Sequence, residues 1–425
     1  MRNTFTSLAL AAAAYAQEQT YTFENQTDPG LYRDPLTAGP SPELIHLYND
    51  QWPTGVAVSR NGRIFSNYPR ALDPNNTEYT VAELFANNTE RAYPNATYNL
   101  PPSGLVDNST GTPMSVGNAS HLTGVQSVVI DGANRLWILD TGRTAISDGT
   151  ILPASPGGAK LVGVDLDTDQ IFTTIVFDSK AAPAASYLND MRFDLSSNLT
   201  KSGQGVAYIT DSSPEGQNAI VVVDLGTGEA WRRLVLHPSV QANAGFVPTI
   251  AGYPVYINQT GDETATNVNF GADGIALSAD NSELYYATTG GRELFSVPTK
   301  NLLDRSRNAE LKARGAVQYH GETGLKDGMD TDTNGMIYAG NIEDNAVAYF
   351  DPATGLLNTL VRDPRFVWTD AVYVAFDGHL YFTQNQLWRR PQHWFGEERR
   401  VMPYALFRVP LPNGGTKIEQ DAPPS

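Results

Sequence analysis

The chain has 425 residues, no cysteine and a net charge of −17, with 46 acidic against 29 basic side chains. Without cysteine it has no disulfide framework, thiolate metal site or cysteine nucleophile. Its acidity argues against nucleic acid and anionic membranes as partners, because both need basic patches.

Met1 to Ala16 reads as a secretory signal peptide. It has one basic residue, Arg2, a short apolar run from Leu8 to Ala14 and a small-residue end at Ala14-Tyr15-Ala16. The run is too short to cross a bilayer, and no later segment holds the ~20 apolar residues of a span, so no membrane insertion is expected. Residues 17–41 form a polar lead-in with turn signals at Asp28-Pro29-Gly30 and Asp34-Pro35. Asn-x-Ser/Thr sequons at Asn25, Asn75, Asn87, Asn95, Asn108, Asn118, Asn198 and Asn258 point to a glycosylated, extracellular protein. Their density marks residues 71–121 as an exposed insertion.

A pattern of strand, tight turn and second strand then recurs six times. The copies open at Thr54-Gly55, Val125-Gln126, Asn189-Asp190, Ala272-Asp273, Lys326-Asp327 and Thr369-Asp370. Each is a β-hairpin signal. Six in one chain predict an all-β fold, a six-bladed β-propeller with long surface loops, over residues 42–412. Glu43–Tyr48 is expected to pair with Tyr404 to Val409 and close the ring, which removes an open sheet edge. Outer strands are legible at Leu161 to Asp165, Ala219 to Asp224, Glu293 to Val297 and Ala346 to Asp351. Asp165, Asp224 and Asp351 open tight turns and read as turn caps. Residues 238–270 read as a surface excursion. Residues 386–403, rich in Trp and Arg, read as a lid or as packing for the last blade. Residues 413–425 read as a flexible tail.

In a propeller the innermost strands line a central channel. Asp190, Asp273, Asp327 and Asp370 are therefore expected to converge, joined by Gln126 and by the small pair Thr54-Gly55. Gathered carboxylates repel, so some must take up protons at higher pH than usual unless a cation or hydrogen-bond donors compensate. The competing reading is that Asp273 and Asp327, each followed by Gly, cap turns through backbone N–H groups. Asn341 and Asn385 end second strands and are candidate ligand-binding residues, as is Trp368, whose aromatic face would suit a flat or cationic ligand. Asp190 and Asp370 are the candidates for proton transfer. There is no G-x-S-x-G elbow, H-E-x-x-H, dinucleotide fingerprint or phosphate loop, and the six histidines lack metal-ligand spacing.

These residues resemble the yellow and major royal jelly protein family. The likeness is carried by Trp52-Pro53-Thr54-Gly55, by Gly132-Ala133-Asn134-Arg135-Leu136-Trp137 through Gly142, and by Tyr187-Leu188-Asn189-Asp190. It continues in Gly271-Ala272-Asp273-Gly274 and Trp368-Thr369-Asp370. The resemblance covers roughly residues 42–412 and implies a six-bladed propeller with a small ligand in its central pocket. Members include salivary binders of biogenic amines, pigmentation proteins linked to dopachrome conversion and secreted nutritive proteins. It thus implies a small-molecule partner, a small aromatic or amine-bearing metabolite, and no cofactor. A second likeness, to gluconolactonase-like propellers, would make Asp190 and Asp273 oxygen ligands of a divalent cation such as calcium in a metal-dependent lactonase. Thr54-Gly55 stands where that family has a first-blade glutamate. A non-catalytic structural or nutritive secreted protein is the third reading.

Overall fold

A computed structural model of the chain describes residues 34–109, 111–257 and 265–422. The signal-peptide segment and the sequons at Asn25 and Asn258 lie outside the described residues. The chain divides into two units, Met1–Pro35 and Leu36–Ser425. In the first, residues 34 and 35 are described and exposed.

The second unit consists mainly of six four-stranded antiparallel sheets, the blades of a β-propeller. Blade 1 holds Val56–Val58, Ile64–Asn67, Val81–Phe85 and Thr89–Ala92. Blade 2 holds Val125–Ile130, Leu136–Asp140, Lys160–Asp165 and Gln170–Val176. Blade 3 holds Leu188–Asp194, Val206–Asp211, Ala219–Asp224 and Ala230–Arg233. Blade 4 holds Ala272–Leu277, Glu283–Thr288, Glu293–Pro298 and Gln318–Glu322. Blade 5 holds Met329–Thr331, Ile337–Asn341, Ala346–Asp351 and Leu356–Arg362. Blade 6 holds Thr369–Val374, His379–Gln384, Tyr404–Pro410 and the N-terminal strand Glu43–Tyr48.

Burial explains the strand sequences. Ala219–Asp224 reads Ala-Ile-Val-Val-Val-Asp and is buried throughout, because neighbouring blades cover both of its faces. Gln170–Val176, an outermost strand, is mostly exposed or half-buried. The aspartates read as turn caps do that work. Asp165 accepts from the N–H groups of Asp167 and Thr168, and Asp224 from those of Gly226 and Thr227. Asp351 accepts from Ala353 N–H.

Three expectations need correction. Residues 71–121 are not all insertion, since Val81–Phe85 and Thr89–Ala92 are the outer half of blade 1, with Val81 and Ala82 fully buried. The sequons at Asn75, Asn87 and Asn95 sit on exposed positions flanking these short strands and masked their strand character. Residues 238–270 are not merely a surface excursion, because Ile250 and Val255 are core. Residues 413–425 do not form a loose tail through Gln420. Thr416 O accepts from Thr333 N at 2.9 Å, Lys417 N donates to Ala375 O at 3.2 Å and Gln420 N to Gly132 O at 3.1 Å. The Gln420 carboxamide also bonds Leu195 N and Phe193 O. These partners lie on blades 2, 3, 5 and 6 or their turns, so the segment ties one end of the propeller together.

Candidate functional site

Two residues of an innermost strand oppose one of its partner at the same place in four blades. In blade 3 Leu188 faces Asp211 and Met191 faces Ile209; in blade 4 Ala272 faces Thr288 and Ile275 faces Tyr286. Blade 2 repeats this from Val125–Asp140 to Val128–Ile138, and blade 6 from Thr369–Gln384 to Val372–Phe382. Such a bulge re-aims one side chain. The re-aimed residue stands two places before a buried core residue: Gln126 before Val128, Asn189 before Met191, Asp273 before Ile275 and Asp370 before Val372. Asp327 holds the same place before Met329 in blade 5, and Thr54 before Val56 in blade 1. At blade 1 the Asn67 carboxamide fills the ring, donating to Thr54 Oγ1 and Gln126 O at 2.8 Å each. Gly55 is required there, because a Cβ would lie 2.0 Å from Asn67 Oδ1.

The ring residues are bonded in series. Tyr187 OH donates to Gln126 Oε1 at 2.7 Å, Gln126 Nε2 to Asn189 Oδ1 at 3.2 Å and Asn189 Nδ2 to Asp273 Oδ2 at 2.6 Å. Trp368 Nε1 donates to Asp327 Oδ2 at 2.8 Å, and Asn385 Nδ2 to Asp370 Oδ2 at 2.6 Å. Each of the three carboxyls thus receives a neutral N–H donor and none a cation in direct contact. Burial pushes Asp273 and Asp370 well above the usual carboxylate range, with Asp327's charge the next cause for both. Burial also raises Asp327, to about 6, against the lowering effect of the Trp368 hydrogen bond. Asp273 and Asp327 also interact directly, side chain to side chain. Close acids in a dry site hold protons in common.

Two cavities meet at this ring. One, of about 570 Å³, is lined by the ring acids together with Tyr187, Phe270, Trp368, Leu72, Val255, Ile257, Val268 and Leu387. Its roof is therefore built by Val255, Ile257, Val268 and Phe270 and by the 386–393 segment. Arg390 and His393 also line it. His393 Nδ1 contacts Tyr256 O at 2.8 Å, and burial lowers its pKa to about 4, so the ring is neutral at physiological pH. The other cavity, of about 400 Å³, continues down the axis past Ser127, Asp190, Arg192 and Tyr373.

The sequence model of the major royal jelly protein family matches residues 123–401, most of the propeller. The chain belongs to that family. Major royal jelly protein 7 of Apis mellifera is 25% identical over 237 residues, 54% of this chain and 47% of that protein. Protein yellow of Drosophila erecta is 24% identical over 307 residues, 70% of this chain and 50% of that protein. The chain spans about half the length of these relatives. Among solved structures, a luciferin-regenerating enzyme is similar at a TM-score of 0.49 and 11% identity, over 90% of this chain and 100% of that one. Regucalcin from Agrobacterium tumefaciens is similar at a TM-score of 0.48 and 14% identity, over 90% of this chain and 96% of that one.

In this major royal jelly family member, the four aspartates do meet around the axis, lining one cavity with Gln126. Asp190, however, is one residue beyond the ring position, which Asn189 occupies. A one-residue offset turns a side chain to another direction, and Asp190 points down the channel to Arg192 at 3.0 Å and Ser127 Oγ at 2.9 Å. Burial raises its pKa while Arg192 opposes the rise. Arg192 also approaches Asp330 at 3.5 Å, and Lys417 of the C-terminal segment stands 3.8 Å from Asp330. Asp273 and Asp327 bond side-chain groups and do not cap turns. Asn385 stands behind the ring, fully buried, and reaches the cavity only through Asp370. Asn341 lines neither cavity and packs against Gly324. Asp140 and Asp211, at the same strand end as Asn341, pair with Lys160 and Arg232 and bond the backbone leading into the inner strands.

The sequence reading missed Asn189, Tyr187, Thr289, Arg390 and His393. Counting back two places from each buried core residue would have found Asn189. The rest reach the site through loops that no strand periodicity marks. The donor set does not fit a resident divalent cation. Asp190, one of the two oxygen ligands that the lactonase reading requires, is engaged by Arg192 at 3.0 Å. Among the described residues no group of three or more His, Cys, Asp or Glu is placed to hold a metal ion.

Proposed function

We propose that this protein is a secreted glycoprotein that binds a small aromatic or amine-bearing metabolite in the roofed cavity. We further propose that it can tautomerise or cyclise that ligand without a cofactor. The observation that carries the reading is the Asp273–Asp327–Asp370 triad, set beneath an aromatic and aliphatic chamber. Such a floor takes an ammonium by giving up its shared proton, and the Tyr187, Phe270 and Trp368 rings suit a planar body. For a carbonyl-bearing ligand, Asp327 as carboxylate would accept a proton from carbon while protonated Asp370 delivers one to oxygen. A C–H bond is exchanged for an O–H bond, the triad's proton count is unchanged and no oxidant is needed. Trp368 and Asn385 would hold these two carboxyls in place throughout.

Calorimetric screening with catechols, indoles and aromatic amines should find a ligand of micromolar affinity. Asp273→Asn and Asp370→Asn should each weaken it at least ~10-fold, as expected when a buried charge-assisted hydrogen bond is lost. Unchanged affinity in both variants would remove the triad from recognition. Export is supported by exposed sequons at Asn75, Asn87, Asn95, Asn108 and Asn198. Protein secreted from a eukaryotic host should lose mass on treatment with an N-glycan-cleaving amidase. A medium devoid of the protein, or an unchanged mass, would refute this part.

A further inference from the structure

We propose that the roofed cavity selects a zwitterion, an aromatic α-amino acid or a related carboxylate-bearing amine, over the bare amine. This rests on the reading of that cavity as a small-ligand site and narrows its ligand class. The observation is Arg390, which sits between the short turns Leu387–Arg389 and Pro391–His393 in the roof. It is 5% exposed, lines the cavity and stacks over Trp52 at 5.3 Å, and its guanidinium donates to Leu72 O. Among the described residues no carboxylate stands within 4.0 Å of it. Its neighbour Arg400 takes the nearby acids instead, with Asp73 at 2.7 Å and Glu398 at 2.6 Å.

A buried guanidinium without a carboxylate is costly on its own and offers free N–H groups to an incoming anion. Burial and the charge of Arg400 lower its pKa to about 10, which leaves it charged at neutral pH. It is near enough to Asp370 for its charge to favour ionisation of that acid. A cation in the roof and acids in the floor therefore face one chamber, whose remaining walls are Phe270, Tyr187, Trp368 and aliphatic side chains. A bare amine satisfies the floor and is repelled by the roof. An amino acid places its ammonium on the triad and its carboxylate in the Arg390 fork, a geometry guanidinium suits better than ammonium.

The test is calorimetric titration of the wild-type protein with matched pairs, tyrosine against tyramine and tryptophan against tryptamine. The amino acid should bind ~10- to 100-fold more tightly than its amine in at least one pair, the range of a charge-assisted hydrogen bond in a buried site. Arg390→Gln should erase this preference, and Arg390→Lys should keep part of it. An amine that binds as tightly as its amino acid, or more tightly, overturns the inference and leaves the small-ligand reading standing. If no member of either pair binds, the inference falls, and the small-ligand reading falls with it only if the catechols and other amines of the wider screen do not bind either. The comparison of wild-type pairs decides the matter even if Arg390→Gln does not fold.

Discussion

Asp327→Asn is expected to melt at a higher temperature than the wild-type protein at pH 8, to show no such gain at pH 4, and to lose ligand binding. The sign follows from proton linkage. The carboxyl stands near 3.8 when unfolded and about 6 when folded, raised chiefly by burial. Between those values the folded state holds a proton that the unfolded chain has released. Stability from this group is therefore complete below pH 3.8 and declines as pH rises through about 6. At about 1.4 kcal/mol per pKa unit the buried charge costs on the order of 3 kcal/mol at pH 8. An amide carries no such charge, still accepts from Trp368 Nε1 and can donate to Asp273. The gain should be a few °C in differential scanning calorimetry. Asp273 and Asp370 shift in the same direction, so their effect on the wild-type protein also favours pH 5 over pH 8. Equal melting of variant and wild type at pH 8, or an equal gain at pH 4, would show that no buried charge is being relieved. A site that destabilises its own fold and is relieved by an inactive variant is the usual signature of selection for function.

Deletion of Glu43–Tyr48 should produce the largest loss of stability. This strand pairs with Tyr404–Pro410 from Glu43↔Arg408 to Tyr48↔Tyr404, with one register shift between Leu44 and His46, and so completes blade 6 with the opposite end of the chain. Tyr48 and His46 are buried. Tyr48 OH bonds Ser66 Oγ at 3.0 Å, and His46 Nε2 meets Glu90 at 3.2 Å, so the strand also pins blade 6 to blade 1. Its loss would expose the row of backbone groups along Tyr404–Pro410, an open edge that invites aggregation. The deletion should therefore fail to show a cooperative melt or should melt at least ~10 °C lower. Tyr48→Ala alone should cost about 3–5 kcal/mol, as for other buried aromatic truncations. A deletion variant that melts like the full chain would mean that the ring closes without this strand.

Much of this was legible in the chain itself. Six hairpin signals, the closing pair of terminal strands and the convergence of Asp273, Asp327 and Asp370 all follow from local periodicity and turn chemistry, which act over a few residues. The exposed sequons obscured Val81–Phe85, a strand whose neighbours read as loop. Aligning blade 3 on its aspartate instead of on its buried core residue set Asp190 in place of Asn189.

What the sequence determined was the repeat: where each blade starts, which strand closes the ring and which acids face the axis. Those features depend on side-chain alternation and backbone hydrogen bonding between near neighbours. Tertiary structure alone decided the bulge that turns Asn189 inward and Asp190 toward Arg192. It alone brought Arg390 and Phe270 over the acids and tied Gln420 beneath blades 2 and 3. Each of these contacts joins residues far apart in the chain, and it is formed because closing the ring buries surfaces that no single blade can cover by itself.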